Sequence, residues 1–162
     1  MNAKEVLLEQ LDALENNHWF VSLKNSLVGL TDEQAAWKET AESNSIREIA
    51  NHLIYWNELY LNRFRSPEPA TGVSLENDDT FQDQEELDWK QTVDKLNNLT
   101  AQWYKAVEEA DEARFDENAY RNREAAWGSV IANLTIHVAY HTGQILFARK
   151  KQGSWNPENG VH

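Results

Sequence analysis

The chain has 162 residues, a formal net charge of -12 at pH 7 and no cysteine. This length suits one domain with a hydrophobic core, so we take residues 1–162 as a single domain. The lack of cysteine excludes disulfides, thiolate metal ligands and a cysteine nucleophile, and the acidic balance disfavours nucleic acid and acidic membrane surfaces as partners.

Residues 1–10 carry charged side chains where a signal peptide needs an apolar run, and no stretch of the sequence approaches membrane-spanning length. We therefore expect a cytoplasmic protein. Seven tryptophans are many for a chain of this size, and each is expected in the core, because bulky aromatic side chains bury a large apolar area.

Apolar residues recur at helical spacing in four segments, and only six glycines and three prolines interrupt the chain. The first helix is predicted over residues 3–27, with Gly29 as its stop. Thr31 and Gln34 form a capping-box pattern, which predicts a short helical turn that holds Trp37. The side chains of the first helix that are expected to face inward are Val6, Leu7, Leu11, Leu14, Phe20, Val21 and Leu27.

The second helix has the clearest start, because Ser45 and Glu48 form a capping box. The helix is predicted to end near Arg65, before Pro67. Residues 66–88 then turn polar and acidic, and a connection of this length allows helices two and three to run parallel. The inward stripe of the second helix is Ile46, Ile49, Leu53, Trp56 and Tyr60.

The third helix is predicted over residues 84–110, and a second polar link, residues 111–124, is anchored by Phe115 and Tyr120. The fourth helix is predicted over residues 127–151 and is followed by Gly153 as its stop. Its inward side chains are Val130, Leu134, Val138, Ile145 and Phe147, and its last turn has the cations Arg149, Lys150 and Lys151, which suit the helix dipole. The expected fold is all-α, a four-helix bundle with long crossover connections.

The pair His137 and His141 is the sharpest chemical feature of the sequence. Four residues advance an α-helix by about 400°, so the two imidazoles stand one turn apart on nearly the same face. His52 lies at the edge of the inward stripe of the second helix. If the second and fourth helices are neighbours, the three histidines form a three-nitrogen site for one divalent metal ion.

Neutral imidazole suits zinc, nickel, cobalt or iron, and three protein nitrogens leave a coordination position open for water or substrate. The pair is not a zincin motif, because Val138 follows His137 where that mechanism needs a glutamate. A ferritin-like di-iron site is also disfavoured, since no glutamate lies three residues before His52, His137 or His141. His18 is a weaker candidate ligand, and the acidic residues 76–88 are expected to be a solvated surface.

Residues 45–53 (Ser-Ile-Arg-Glu-Ile-Ala-Asn-His-Leu) and 137–145 (His-Val-Ala-Tyr-His-Thr-Gly-Gln-Ile) resemble the two signatures of the DinB superfamily. The resemblance implies a four-helix bundle in which His52, His137 and His141 hold a divalent metal, often in a homodimer. Characterised relatives include bacterial transferases and isomerases that use bacillithiol, mycothiol or glutathione, so the resemblance also implies a low-molecular-weight thiol as cosubstrate.

The leading hypothesis is a metal-dependent thiol S-transferase that acts on small electrophiles. Two alternatives stay open from the sequence: a non-catalytic, stress-associated metal-binding bundle, and a metal-assisted hydrolase of a small ester or amide. The sequence assigns no catalytic residue and no cofactor-binding residue beyond the three histidines.

Overall fold

The computed structural model describes residues 1–68 and 74–162. Within these ranges there is no strand, and one isolated β-bridge joins Asn118 to Ala126. None of the helices in the same ranges is both long and apolar enough to cross a bilayer. The six α-helices are α1 (Ala3–Glu15), α2 (Leu23–Ser26), α3 (Asp32–Ala36), α4 (Ile46–Arg65), α5 (Trp89–Glu109) and α6 (Trp127–Gln152). The expected all-α fold is confirmed.

The four long helices pack in a closed ring, in which α1 and α4 each contact both α5 and α6. The ring encloses a continuous core of aliphatic and aromatic side chains. Its largest fully buried members include Leu11, Leu53, Trp103, Trp127 and Ile145. This arrangement places α4 directly against α6, which is the contact that the histidine hypothesis requires.

The predicted first helix is wrong in its second half. α1 ends at Glu15, and a loop leads to the single turn of α2. The side chain of Asn17 accepts from the backbone N–H of Ser22 and from the side chain of Asn25, while Ser22 caps α2. These short polar side chains compete with the helix for backbone groups. Phe20, expected to face inward, is therefore 42% exposed, and Val6 on α1 is 41% exposed.

Capping boxes set the starts of α3, α4 and α5. The predicted boxes of Thr31 with Gln34 and of Ser45 with Glu48 are both present. The prediction that α5 begins at residue 84 is wrong: the helix begins at Trp89, because Asp88 and Gln91 form a capping box there. α6 ends as predicted, with Gly153 in the left-handed conformation at φ 77°.

α4 and α5 run parallel, as the long connection allows. At their first turns, the Arg47 guanidinium lies 5.9 Å from the ring centroid of Trp89. At the other end, Arg65 donates to the side-chain oxygen of Gln102 at 2.8 Å. The connection therefore runs back along the bundle, and it includes a 3-10 helix, Asn77–Phe81, that packs on α4.

Not every aromatic side chain lies in the core. Trp89, Trp103 and Trp127 are buried, whereas Trp19, in the loop after α1, is 98% exposed. Phe147, predicted to face inward, is 60% exposed because it lies on the outer face of α6. The expectation that every tryptophan lies in the core is therefore wrong.

Arg149 is buried in the last turn of α6, where the sequence predicted a cation for the helix dipole. Its guanidinium donates to the backbone carbonyls of Ser26, Val28 and Ser154, at 2.7–2.8 Å. These carbonyls lie at the ends of α2 and α6 or just beyond them, so a single side chain satisfies acceptors from two chain segments. Burial lowers the pKa of Arg149.

Replacing Arg149 by methionine is expected to reduce the free energy of unfolding by about 2–4 kcal/mol, because three backbone carbonyls lose a charged donor. Denaturant titration measures this loss. Lys150→Met is the matched control, since Lys150 is exposed, and it should change stability by less than about 0.5 kcal/mol. Equal losses in the two variants would contradict a stabilising role for the Arg149 contacts.

Candidate metal centre

His52 reaches the interior because of where α4 begins. The capping box of Ser45 fixes the first turn, and Ile49 and Leu53 then pack into the core. His52 lies beside this stripe and is only 2% exposed. A histidine that the sequence placed at the edge of the apolar face is thus fully enclosed.

His137 and His141 stand on the face of α6 that contacts α4. Val138 and Ile145 on the same helix are fully buried and hold this face against the core. His141 is 6% exposed, and His137 is half-buried. The two imidazoles are one turn apart, as the spacing predicted, and their ring centroids are separated by 4.6 Å.

The three histidines come together through their Nε2 atoms. The Nε2 atom of His137 lies 3.0 Å from that of His52 and 3.0 Å from that of His141. One ligand atom from each residue can be chosen so that all three lie within 4.8 Å of one another. The structure therefore brings together the three residues that the sequence selected, from two separate helices.

The orientation of His52 is fixed by Thr80 in the crossover. The Thr80 hydroxyl has one proton, which it donates to the carbonyl of Asn77 at 2.6 Å. It therefore accepts from the Nδ1–H of His52, also at 2.6 Å. A neutral imidazole that carries its proton on Nδ1 has its lone pair on Nε2, so His52 presents this lone pair to the other two histidines.

Gln144 fixes His141 in the same way. Its side-chain oxygen lies 2.7 Å from Nδ1 of His141, and its amide nitrogen donates to the Tyr140 hydroxyl at 3.1 Å. An amide oxygen only accepts, so His141 carries its proton on Nδ1 and its lone pair on Nε2. Both outer histidines thus have the tautomer that a metal ligand needs, with the other ring nitrogen held by a hydrogen bond.

Burial keeps the imidazoles neutral. Burial, together with the nearby charges of His141 and His137, lowers the pKa of His52 to about 3. Burial, followed by the charge of His141, lowers the pKa of His137 to about 4, and burial also lowers the pKa of His141. All three side chains are therefore in the neutral form at pH 7, the form that binds metals.

The cluster suits a divalent cation. His137 has at most one proton on Nε2, so it can donate to only one of its two neighbours, and the other contact brings two acceptor nitrogens together. A cation satisfies all three lone pairs at once. Two nitrogens that each lie about 2.1 Å from one ion are separated by about 3.0–3.4 Å, which agrees with the two 3.0 Å contacts that His137 makes.

The crossover contributes two residues to the site that the sequence did not predict. Phe81 stacks on His52, with ring centroids 4.1 Å apart and planes within 10° of parallel, and Thr80 is fully buried beside it. Both belong to the 3-10 helix within a polar, acidic segment. The only available signal was a threonine and an aromatic residue in adjacent positions of that segment, and no periodicity accompanied them.

A cleft of about 460 Å³ opens beside His137. Its walls include Trp56 and Tyr60 from α4 and Tyr120 and Arg123 from the link before α6. A cleft of this volume is in the range of small-molecule sites. His137 thus joins the buried histidine cluster to a cleft that is open to solvent.

The other candidate residues lie outside the cluster. His18 pairs with the Asp12 carboxylate at 2.5 Å on the surface, and His162 is exposed at the end of the chain. The acidic residues 76–88 are largely exposed, as expected, and Glu85 pairs with Lys95.

Comparison with known families agrees with these features. The model of the DinB superfamily matches residues 22–145, which include the three histidines as well as Thr80 and Gln144. The chain belongs to the DinB superfamily. No curated protein and no solved structure matches it significantly. DinB membership identifies the bundle, and the geometry of the cluster describes the site.

The lowered pKa values predict how the stability of the metal-free protein depends on pH. An unfolded histidine titrates near pH 6.5, whereas His52 and His137 titrate at about 3 and about 4 in the folded chain. At pH values between the folded and the unfolded pKa, the unfolded state binds more protons than the folded state. The free energy of unfolding therefore falls as the pH is lowered below about 6.5. Thermal unfolding at about pH 7.5 and about pH 5, with a chelator present, measures this loss.

The double variant His52→Gln/His137→Gln lacks both titrating groups and should lose less stability between the two pH values. His162→Gln is the control, because His162 is exposed at the end of the chain and lies outside the cluster. An equal loss in the wild-type protein and the double variant would show that the cluster does not contribute.

Proposed function

We propose that His52, His137 and His141 bind one divalent metal ion, such as zinc, nickel or iron, and that this DinB protein is a metal-dependent thiol S-transferase. The observation that supports the proposal is the convergence of three imidazole nitrogens beside a cleft that a small molecule can enter. Three protein nitrogens leave at least one coordination position for a ligand, which is typical of catalytic sites.

The thiol has to come from outside the chain, because the sequence contains no cysteine. A bound divalent ion lowers the pKa of a thiol that it coordinates, so that the thiol reacts as a thiolate near neutral pH. In the overall transfer, the thiol sulfur forms a bond to the electrophilic carbon, the leaving group departs with its electron pair, and the thiol proton is released. Bacillithiol, mycothiol and glutathione are the candidate cosubstrates that the family resemblance implies.

The surroundings of the cluster restrict the direction from which a ligand approaches. Phe81 lies flat on His52, and His52 and His141 are both buried. His137 is the member of the cluster that lines the cleft. The chain therefore excludes water from one side of the site and admits small molecules from the other.

Two alternatives differ from this proposal in what the cleft does. A pocket too small for a ligand would favour a non-catalytic metal-binding bundle. The cleft of about 460 Å³ is instead large enough for a small molecule. A metal-assisted hydrolase uses water as the nucleophile in the same position. Adding an ester or amide without a thiol distinguishes hydrolysis from transfer.

The single domain, the cytoplasmic location and the homodimer stay predictions. Apolar side chains on the outer face of α6, Ile136 and Phe147, are more than half exposed, as is Trp19 in the loop after α1. Exposed apolar surface of this kind supports an interface between two copies of the chain.

Metal binding is expected to depend on the ligands and on the residue that orients His52. His141→Ala should weaken zinc binding at least about tenfold, and Thr80→Val should weaken it about 10- to 100-fold, because the hydrogen bond to Nδ1 of His52 is lost. Competition with a chromogenic chelator measures both affinities.

Thr92→Val is the matched control for Thr80→Val. Thr92 is also buried, and its hydroxyl also donates to a backbone carbonyl, that of Asp88. This variant should keep the wild-type affinity for zinc. Elemental analysis of the triple variant His52→Ala/His137→Ala/His141→Ala provides the decisive check, because metal retained by that variant would place the site elsewhere.

Turnover tests the transferase activity itself. Metal-loaded protein with bacillithiol and a halogenated aromatic acceptor should give the thioether conjugate, detected by mass spectrometry. His141→Ala should reduce the rate at least about 100-fold, a loss comparable to removal of a major catalytic interaction. His18→Ala, which changes an exposed histidine, should stay within about twofold of wild type. Absence of conjugate with bacillithiol, mycothiol and glutathione, while the site is loaded, would refute the transferase.

A further inference from the structure

The cleft beside His137 differs in charge from the rest of the protein. The chain carries 27 acidic and 15 basic residues, and a second groove, on α4, is lined by Glu58, Asp83 and Glu85. Among the described residues that line the cleft beside His137, Arg123 is the only charged side chain. The described lining of this cleft thus contains no carboxylate, although the chain is strongly acidic.

Arg123 is available to a ligand. Its guanidinium lies 3.9 Å from the centroid of the Tyr120 ring, and no carboxylate among residues 1–68 and 74–162 pairs with it. Arg121, two residues earlier, pairs with Glu68 at 3.1 Å. The planar guanidinium of an arginine binds a carboxylate through two parallel hydrogen bonds, and stacking on an aromatic ring restricts its orientation.

A hydrogen-bond donor lies in the same cleft. The hydroxyls of Tyr60 and Tyr120 are 2.8 Å apart, so one of them donates to the other. The pair has two protons and uses one of them in this contact, which leaves one proton for an acceptor. Burial and the bond to Tyr120 raise the pKa of Tyr60 to about 12, so the donor keeps its proton at neutral pH.

The wall next to these groups is flat and aromatic. The rings of Trp56 and Tyr60 are stacked, with centroids 6.1 Å apart and planes 28° from parallel. Leu134 and Val130 from α6 complete the apolar part of the lining. A planar ligand packs against such a wall with a large contact area.

We infer that the cleft binds a planar, carboxylate-bearing electrophile, with its carboxylate on Arg123 and the tyrosine pair and its flat body against Trp56. This inference deepens the proposed function and depends on it for the identification of the ligand as the electrophile. Arg123 is then the residue that determines specificity for anionic acceptors over neutral acceptors of the same shape.

The test compares 4-chloro-3-nitrobenzoate with its neutral amide, 4-chloro-3-nitrobenzamide. Isothermal titration calorimetry measures both dissociation constants, first with chelator present, so that no metal competes for the carboxylate, and then with zinc-loaded protein. In both states the wild-type protein should bind the acid at least about tenfold more tightly than the amide, the effect of one charge-assisted interaction.

Arg123→Gln should bring the ratio of the two dissociation constants close to one, and Arg123→Lys should keep part of the preference, because lysine retains the charge without the planar fork. Arg121→Gln is the matched control and should leave the ratio unchanged, since its partner is Glu68. Circular dichroism of each variant confirms that it is folded. A ratio near one in the wild-type protein, or a preference that survives in Arg123→Gln, would overturn the inference.

Turnover separates this inference from the proposed function. In zinc-loaded protein with bacillithiol, Arg123→Gln should raise KM for the acid and leave KM for the amide and for the thiol unchanged. A rise in the KM of the thiol instead would assign the cleft to the cosubstrate and refute the inference. Selective binding of the acid without any conjugate would refute the transferase and leave the anion site standing.

Discussion

The convergence of three neutral imidazoles in the bundle interior is the constraint that the surrounding structure satisfies. Each ring has two nitrogens, and a buried ring needs a partner for both. The Nδ1 atoms of His52 and His141 are hydrogen-bonded to Thr80 and Gln144, so their Nε2 atoms face His137. Because these hydrogen bonds hold the proton on Nδ1, the lone pairs lie on Nε2, where they suit a cation.

This constraint explains why the crossover before α5 is long. A short loop would return the chain antiparallel beside α4, whereas residues 66–88 return it to the end of the bundle at which α4 begins. On the way, the 3-10 helix places Thr80 and Phe81 against His52. The connection therefore does two things at once: it allows α4 and α5 to run parallel, and it closes one side of the histidine cluster.

The sequence predicted the parts of the structure that depend on local patterns. α4 was predicted from its capping box to its last residue, and the pair on α6 was predicted from its spacing, because both depend on helical geometry alone. The break after α1 was missed, since side chains such as Asn17 replace helical hydrogen bonds in a way that apolar spacing does not report. Thr80 was missed because it meets His52 across 28 residues of chain, in a segment with no period.

The net charge of the chain does not indicate the sign of the charge that lines the cleft. A net charge of -12 predicts repulsion of anions, but at physiological ionic strength this field is screened over about 8 Å. Inside a cleft with aromatic walls the local charges dominate, because they act across a less polarisable medium than water. The charged side chain in the described lining of the cleft is Arg123. The proposed anion site is therefore compatible with an acidic chain, since the acidic residues lie outside the lining of the cleft, where solvent screens their charges.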